Sequence, residues 1–274
     1  MGSDNSSDFS WMDITFISTT TIICYLLVSA YQFILLKKKD SNHIQRVALL
    51  AVIPILLHGY LLYLDIHTSF GKNLSMLNMF SMIFWLISIS LVISSLLRKL
   101  DVLIMAVLPI SALVVLVTTF SHTEHIIQAH SVGYLVHIII AILSISTTGL
   151  AAIQSVFVTM LDNRLRQKPA DFNDALPPLQ DMEKFLFFLI YLGFALLTLA
   201  IITAITFMPS TGAEVPLHKP ILSIAAWLVF GGFIIGRFRK GWRAKTAAAW
   251  TITGFILLFL AYFGTRTVLE IILG

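Results

Sequence analysis

Long apolar runs separated by short polar segments dominate this sequence. A run of about 20 apolar residues is long enough for a helix to cross the hydrocarbon core of a bilayer. Eight such runs predict eight spanning helices, at about residues 14–36, 46–64, 76–97, 101–120, 131–160, 185–208, 219–236 and 247–272. The pattern therefore predicts an all-α integral membrane protein, with a polar N-terminal tail at 1–13 and a single transmembrane helical domain at 14–274.

The composition agrees with this pattern. Hydrophobic residues make up 58% of the chain and charged residues 12%, and the mean hydropathy is +0.91. An ordinary soluble domain is excluded at these values. Once the spans are placed, no remaining stretch is long enough for an independent soluble domain. We therefore expect the lipid bilayer as the main partner, and the function in the helix bundle or its short loops.

The basic residues are concentrated in alternate loops. Lys and Arg near helix ends are retained on the cytoplasmic side of a membrane. Fifteen of the 18 Lys and Arg residues fall on one side of the predicted spans, and only Lys72, Lys219 and Arg266 fall on the other. This asymmetry predicts both termini on the outer, periplasmic side of a bacterial inner membrane. We therefore attribute the net charge of +4 to the membrane topology and not to nucleic-acid binding.

Two histidines, His58 and His137, lie inside predicted spans at nearly the same depth. Each is six or seven residues below the outer edge of its span, which corresponds to about 10 Å. Imidazole carries protons and is a common ligand of metals and haem iron. Equal depth on two helices is what one buried ligand pair requires. The competing interpretation of His58 is a structural hydrogen bond between helices.

Other histidines precede span five, at His122, His125 and His130. Their spacing matches no strong zinc pattern. We interpret them, together with His67, as loop residues, with a surface metal site as the alternative for the first three.

Enzyme motifs are absent from the sequence. It contains no phosphate-binding loop, no G-x-S-x-G nucleophile turn and no H-E-x-x-H. Carboxylates are nearly absent from the spans, which disfavours an ion-coupled transporter. We therefore expect no enzymatic activity. The charged, proline-containing segment at 162–184 is predicted to be a cytoplasmic loop and a docking surface for a protein partner.

Four segments of the second half of the chain carry a family resemblance. They are ALPPLQDMEKFLFFLIYLGFALLTL (175–199), LHKPILSIAAWLVF (217–230), GRFRKGWRAKTAAAW (236–250) and GFILLFLAYFGTRTVLE (254–270). Together they resemble the cytochrome c assembly membrane proteins of the CcsA/CcmC type, and in particular their small eight-helix branch of the YpjD and HemX type. This resemblance implies haem handling at the outer face of the membrane, with non-covalent b-type haem as the cofactor.

The resemblance also implies particular haem-iron ligands. In CcsA-like proteins an outer-face histidine pair ligates the iron, one histidine on each side of a tryptophan-rich loop. The segment GYLVHIIIAILSI is similar to the helix that carries the first ligand, which places His137 in that role. Alignment on Trp227 places His218 in the second role. The equal-depth observation favours His58 with His137 instead, and the sequence leaves both pairs open.

Two departures from the family pattern concern activity. The loop MPSTGAEVPLHK (208–219) contains no tryptophan, and Ile235 stands where larger members have a transmembrane histidine. Both departures predict a haem-binding protein without synthase activity. Two alternatives remain: a regulatory or scaffold subunit, as in the control of haem biosynthesis by HemX-like relatives, and an accessory subunit for divalent-cation transport.

Overall fold

The computed structural model describes residues 11–38, 43–68, 71–97, 101–121, 126–127, 132–167, 178–207 and 216–264. These residues form the helices α1 (Trp11–Lys38), α2 (His43–Ile66), α3 (Met76–Leu97), α4 (Asp101–Phe120), α5 (Val132–Gln167), α6 (Leu179–Phe207), α7 (His218–Lys240) and α8 (Ala244–Phe259). A π-helical turn at Leu260–Gly264 extends α8. Eight described helices are long and apolar enough to cross a membrane, which confirms the predicted number of spans.

The helices pack as two four-helix rings. In the first ring α1, α2, α3 and α4 each contact the next helix, and α4 returns to α1; helices α5 to α8 form the second ring in the same way. Helices α3 and α5 make the principal contact between the rings. Sequential helices are antiparallel, so α1, α3, α5 and α7 all begin at one end of the molecule. We call this the terminal end, and the opposite end the basic end.

A small antiparallel sheet lies at the terminal end. Its strands are β1 (His67–Thr68), β2 (Gly71–Asn73) and β3 (Ile126–Ile127). Lys72 of β2 pairs with His67 on one side and Ile127 on the other. The sheet therefore joins the α2–α3 connection to the α4–α5 connection. The all-α prediction missed it because strands of two or three residues show no hydrophobic periodicity.

Helices α5 and α6 extend beyond the predicted spans at the basic end. The prediction of a loop over 162–184 is wrong for residues 162–167 and 179–184, which are helical; residues 168–177 lie outside the described residues. Ion pairs within single helices explain the extensions: Asp162 with Arg166 at 3.1 Å and Asp181 with Lys184 at 3.2 Å. Hydropathy ends a span at the first charges, whereas the helical backbone continues through them.

Helices α5 and α6 pack closely where a glycine meets a threonine. A Cβ atom added to Gly193 would lie 2.7 Å from Thr148 Cγ2. Further along the same pair of helices, Gln154 Nε2 donates a hydrogen bond of 2.9 Å to the Met182 carbonyl. Because Gly193 has no side chain, α5 and α6 can approach closely. Helix α5 carries His137, one of the candidate ligands, and α6 carries its hydrogen-bond partner.

We expect Gly193→Ala to lower the free energy of unfolding by about 1–3 kcal/mol, because its methyl group overlaps Thr148 Cγ2. Thermal unfolding in detergent measures this. Thr148→Ser removes that methyl group and keeps the hydroxyl, so Gly193→Ala/Thr148→Ser should recover most of the loss. A double variant no more stable than Gly193→Ala alone would contradict the packing explanation.

Candidate functional site

His58 is buried at the centre of the first ring, with only 1% of its surface exposed. Its Nδ1 lies 3.1 Å from the hydroxyl of Tyr25 on α1, and its Nε2 lies 2.8 Å from the hydroxyl of Ser81 on α3. A neutral imidazole has one donor and one acceptor nitrogen. One hydroxyl therefore donates to the ring and the other accepts from it. Both nitrogens of His58 are engaged in bonds that hold three helices together.

A polar cavity of about 220 Å³ lies beside His58. Its lining comes from the first ring and the sheet, and includes Ser18, Asp65, Asn78 and Thr118. A second cavity, of about 110 Å³, lies between the rings among aromatic and aliphatic side chains of α3, α5 and α8. Neither cavity includes His137 or His218. Both are smaller than the roughly 300–1,000 Å³ of ordinary small-molecule pockets.

His137 lies in the second ring, half-buried on α5, and faces α6. Its Nδ1 is 3.1 Å from Thr203 Oγ1. The Thr203 hydroxyl directs its own hydrogen to α6 carbonyls, at 2.9 Å from Leu199 O and 3.0 Å from Ala200 O. When that hydrogen points to either carbonyl, the Thr203 oxygen accepts from the ring, and the proton of the neutral imidazole is on Nδ1. In this tautomer Nε2 carries an unprotonated lone pair, as a metal-binding imidazole requires.

His218 is the first residue of α7, on the opposite side of the same ring. Trp227 Nε1 donates a hydrogen bond of 2.9 Å to Thr198 Oγ1, and this contact sets the register of α7 along α6. Counting nine residues outward from it places His218 level with about residue 207 of α6. His137 is level with Thr203, so the two histidines differ in depth by about 6 Å.

The structure therefore separates the three candidate ligands into two groups. His137 and His218 belong to the second ring and lie at its terminal end, on helices that face each other across the ring. His58 belongs to the first ring, and its partners are on α1 and α3. The sequence predicts nearly equal depths for His58 and His137, but the two residues lie in different rings and are not neighbours. The interpretation of His58 as an interhelical hydrogen-bonding residue agrees with this geometry.

An imidazole that binds haem iron needs a lone pair on one nitrogen and an orienting hydrogen bond from the other. His137 meets both conditions through Thr203. His58 does not, because Tyr25 and Ser81 engage both of its nitrogens. Of the two histidines within the spans, His137 thus has the hydrogen-bond arrangement that an axial ligand of haem requires.

The remaining histidines form no metal cluster within the described part of the chain, where no group of three or more His, Cys, Asp or Glu could hold a metal ion. His67 lies in β1, and its Nδ1 donates to the Tyr63 carbonyl at 3.1 Å. His122, His125 and His130 lie outside the described residues.

The three residues that hydrogen-bond His58 and His137 could not be recognised from the sequence. Tyr25, Ser81 and Thr203 look like ordinary residues of apolar helices. One pattern was available: the buried polar residues of α1, namely Ser18, Thr21, Tyr25, Ser29 and Gln32, recur at i, i+3, i+7, i+11 and i+14. That spacing marks one helix face, and it indicates a polar interior in the first ring.

Comparison with known proteins gives a family match. The model of the family described as cytochrome C assembly protein matches residues 41–273, so the match begins after α1. The inner membrane protein YpjD of Escherichia coli K12 is 30% identical over 242 residues, which cover 86% of this chain and 91% of YpjD; YpjD of Escherichia coli O157:H7 has the same values.

A 28.8 kDa protein of Azospirillum brasilense is 29% identical over 141 residues, about half of each chain. No solved structure matches. With eight membrane-length helices and relatives named as inner membrane proteins, the chain is a multi-pass inner-membrane protein.

If His58 is structural, His58→Leu should lower the free energy of unfolding by about 1–3 kcal/mol, because two interhelical hydrogen bonds of about 0.6–1.7 kcal/mol each are lost. Thermal unfolding in detergent measures the change. The triple variant His58→Leu/Tyr25→Phe/Ser81→Ala leaves no hydroxyl without a partner and should be more stable than His58→Leu alone. A triple variant that is less stable would contradict this assignment.

Proposed function

The chain belongs to the cytochrome c assembly protein family, and on this premise we propose that it binds one b-type haem non-covalently in the second ring. His137 is the proposed ligand of the iron on one side and His218 on the other. When bound, haem supplies an iron centre that can exchange electrons and axial ligands. The protein holds this group in the membrane and has no catalytic residues of its own.

The hydrogen bond between His137 and Thr203 is the observation that carries the proposal. With Nδ1 as the donor to Thr203, Nε2 of His137 is the nitrogen with a lone pair. It also fixes the orientation of the ring, because Thr203 sits on a helix packed tightly against α5. A ligand held in this way is oriented before haem arrives, which reduces the entropy lost on binding.

His218 is the preferred second ligand because it shares the second ring with His137. It lies on the helix opposite α5 and at the same end of the ring. The offset in depth of about 6 Å is compatible with a haem tilted between the two helices. His58 is the weaker choice, since ligation would break its bond to Tyr25 or Ser81.

We also propose that the terminal end faces the periplasm. The basic end carries Arg164, Arg166, Arg237, Arg239 and Lys240 at the ends of α5 and α7. Such residues are retained in the cytoplasm. The haem ligands then lie on the outer side, where haem would be presented.

Haem retention without delivery is the proposed role. The segment before α7 has no tryptophan to stack on a porphyrin, and Ile235 replaces the family's additional transmembrane histidine. Both differences remove groups that the larger family members use in synthase activity. This chain therefore keeps the ligands for one haem and lacks the apparatus for attaching it to a cytochrome.

An absorption spectrum of the purified protein tests haem binding. We expect a Soret band in the wild type that His137→Ala abolishes, whereas His218→Ala shifts it because one ligand is lost. Thr203→Val should weaken haem affinity by about 10–100-fold, since it removes the bond that orients the ligand. His67→Ala, at the same end of the molecule and hydrogen-bonded only locally, is the control and should leave the spectrum unchanged.

The alternative scaffold function predicts a different result. A colourless protein that shows no spectral change on haem addition would contradict haem binding. An unchanged Soret band in His137→Ala would contradict the ligand assignment alone. Added imidazole should partly restore the spectrum of His137→Ala, which separates loss of the ligand from loss of the fold.

A further inference from the structure

The polar cavity beside His58 has no part in the proposed haem site. It lies inside the first ring and has a volume of about 220 Å³. It reaches from Asp65, near the terminal end of α2, to His58. These residues are seven positions apart in one helix, so the cavity is about 10 Å deep. At roughly 30 Å³ per molecule it has room for about seven waters or for one small solute.

The charge of the lining favours a cation over an anion. Among the described residues that line the cavity, Asp65 is the one acidic residue, and none is Lys or Arg. An anionic solute would meet this carboxylate in a poorly hydrated space, where repulsion between like charges is strong. A positively charged or neutral solute fits the lining better.

The hydrogen bonds within the lining occupy most of its donors. Asn78 Nδ2 donates to two backbone carbonyls, at 3.4 Å and 3.1 Å, which leaves Oδ1 to accept. The hydroxyl oxygens of Thr118 and Thr119 lie 3.0 Å and 2.8 Å from the Val115 carbonyl. When their hydrogens point to this carbonyl, both oxygens can accept a further bond. A solute that donates hydrogen bonds therefore matches the cavity.

Two buried polar groups of the lining have no partner in the protein. Ser18 is 2% exposed and Asn78 is 7% exposed, and both residues line the cavity. Within the described part of the chain, neither the Ser18 hydroxyl nor Asn78 Oδ1 makes a hydrogen bond. A buried polar group without a partner is destabilising. Both groups are satisfied only when a polar molecule enters the cavity.

The cavity also has an apolar wall, formed by Ile14, Leu61, Leu62 and Val115. Water or a bare metal ion would leave this wall without a partner. A metal ion is further disfavoured because the described residues contain no group of three or more His, Cys, Asp or Glu that could hold one. Quaternary ammonium ions are bound by aromatic cages, and the described lining contains no Phe, Tyr or Trp. A short hydrocarbon chain with a donor-rich cationic end remains.

We propose that the polar cavity binds a small primary ammonium ion with a short alkyl chain. Alkylamines are protonated at neutral pH and then have three N–H donors, like a lysine side chain. The ammonium group donates to the acceptor oxygens of Asn78, Thr118 and Thr119, and the alkyl chain packs against the apolar wall. The site belongs to the first ring, so the proposal does not depend on haem binding in the second.

Isothermal titration calorimetry of the purified full-length protein in detergent tests the ligand class. We expect butylammonium to bind about 10–100-fold more tightly than 1-butanol, which has the same size and no charge, because charged donors form stronger hydrogen bonds. Butyrate should not bind. Butyltrimethylammonium keeps the charge but has no N–H donor, so it should bind at least about tenfold more weakly than butylammonium.

Two variants test the assigned residues. Asp65→Asn removes the charge and retains the backbone carbonyl that accepts from Asn78, and Thr118→Val/Thr119→Val removes two acceptors with little change of shape. Each should weaken butylammonium about tenfold. The matched control is Thr159→Val/Thr253→Val, whose hydroxyls bond to carbonyls of their own helices outside the cavity. It should leave the affinity within about twofold of the wild type.

A third variant fills the cavity without removing a hydrogen bond. Ser18→Leu places an isobutyl group in the space and should abolish butylammonium binding. Because the Ser18 hydroxyl has no partner in the described part of the chain, the melting temperature should not fall. A folded Ser18→Leu variant that still binds butylammonium would show that the ligand lies elsewhere.

Other results would also overturn the proposal. A wild-type protein that does not bind butylammonium has a cavity for water only. Equal affinity for butylammonium and 1-butanol would show a neutral solute site, and equal affinity for butyltrimethylammonium would show that charge alone is recognised. Equal weakening by the cavity and control threonine variants would exclude the assigned acceptors. None of these results changes the Soret band, so the haem proposal is tested separately.

Discussion

A polar group inside a bilayer has no water to bond, so its partner must come from the protein. Most of the buried polar side chains that the structure describes follow that constraint, although the hydroxyls of Ser144 and Thr251 have no partner. Serine and threonine hydroxyls return their hydrogens to carbonyls three or four residues earlier, as Thr203 and Ser146 do. A hydroxyl bonded in this way can accept a further bond from a neighbouring helix, as Thr198 does from Trp227 Nε1. The side chains around a histidine therefore determine how its two nitrogens are hydrogen-bonded.

The two histidines within the spans differ in their hydrogen-bond partners. His58 has hydroxyl groups at both nitrogens and so completes a closed set of bonds among three helices. His137 has Thr203 at one nitrogen. The same residue type at a similar depth thus joins three helices in one ring, and in the other it has one helix neighbour and is the proposed ligand of haem iron. Depth alone could not distinguish them, because partners on other helices make the difference.

Hydrophobic run length predicted the helices well because it is a local property. The ends of α5 and α6 were misplaced because ion pairs such as Asp162–Arg166 extend a helix past its apolar part. Helix pairing was not predictable: the contact of Gly193 with Thr148 joins residues 45 positions apart in the chain. Family resemblance suggested His137 and His218 as ligands, but the hydrogen bond of His137 to Thr203 could be found only by knowing which helices are neighbours. The choice between the two ligand pairs depended on the same knowledge.

The polar face of α1 has a consequence for synthesis in the cell. Helix α1 is made before α2 and α4, yet its buried residues meet partners on both: Tyr25 meets His58 on α2, and Ser29 donates to the Met105 carbonyl on α4. About 80 residues separate the end of α1 from the end of α4, so at bacterial rates of about 5–20 residues per second roughly 4–16 s pass before the ring can close. During that time we expect the polar face of α1 to be kept out of contact with lipid. We expect the release of this helix into the bilayer to follow the arrival of α4.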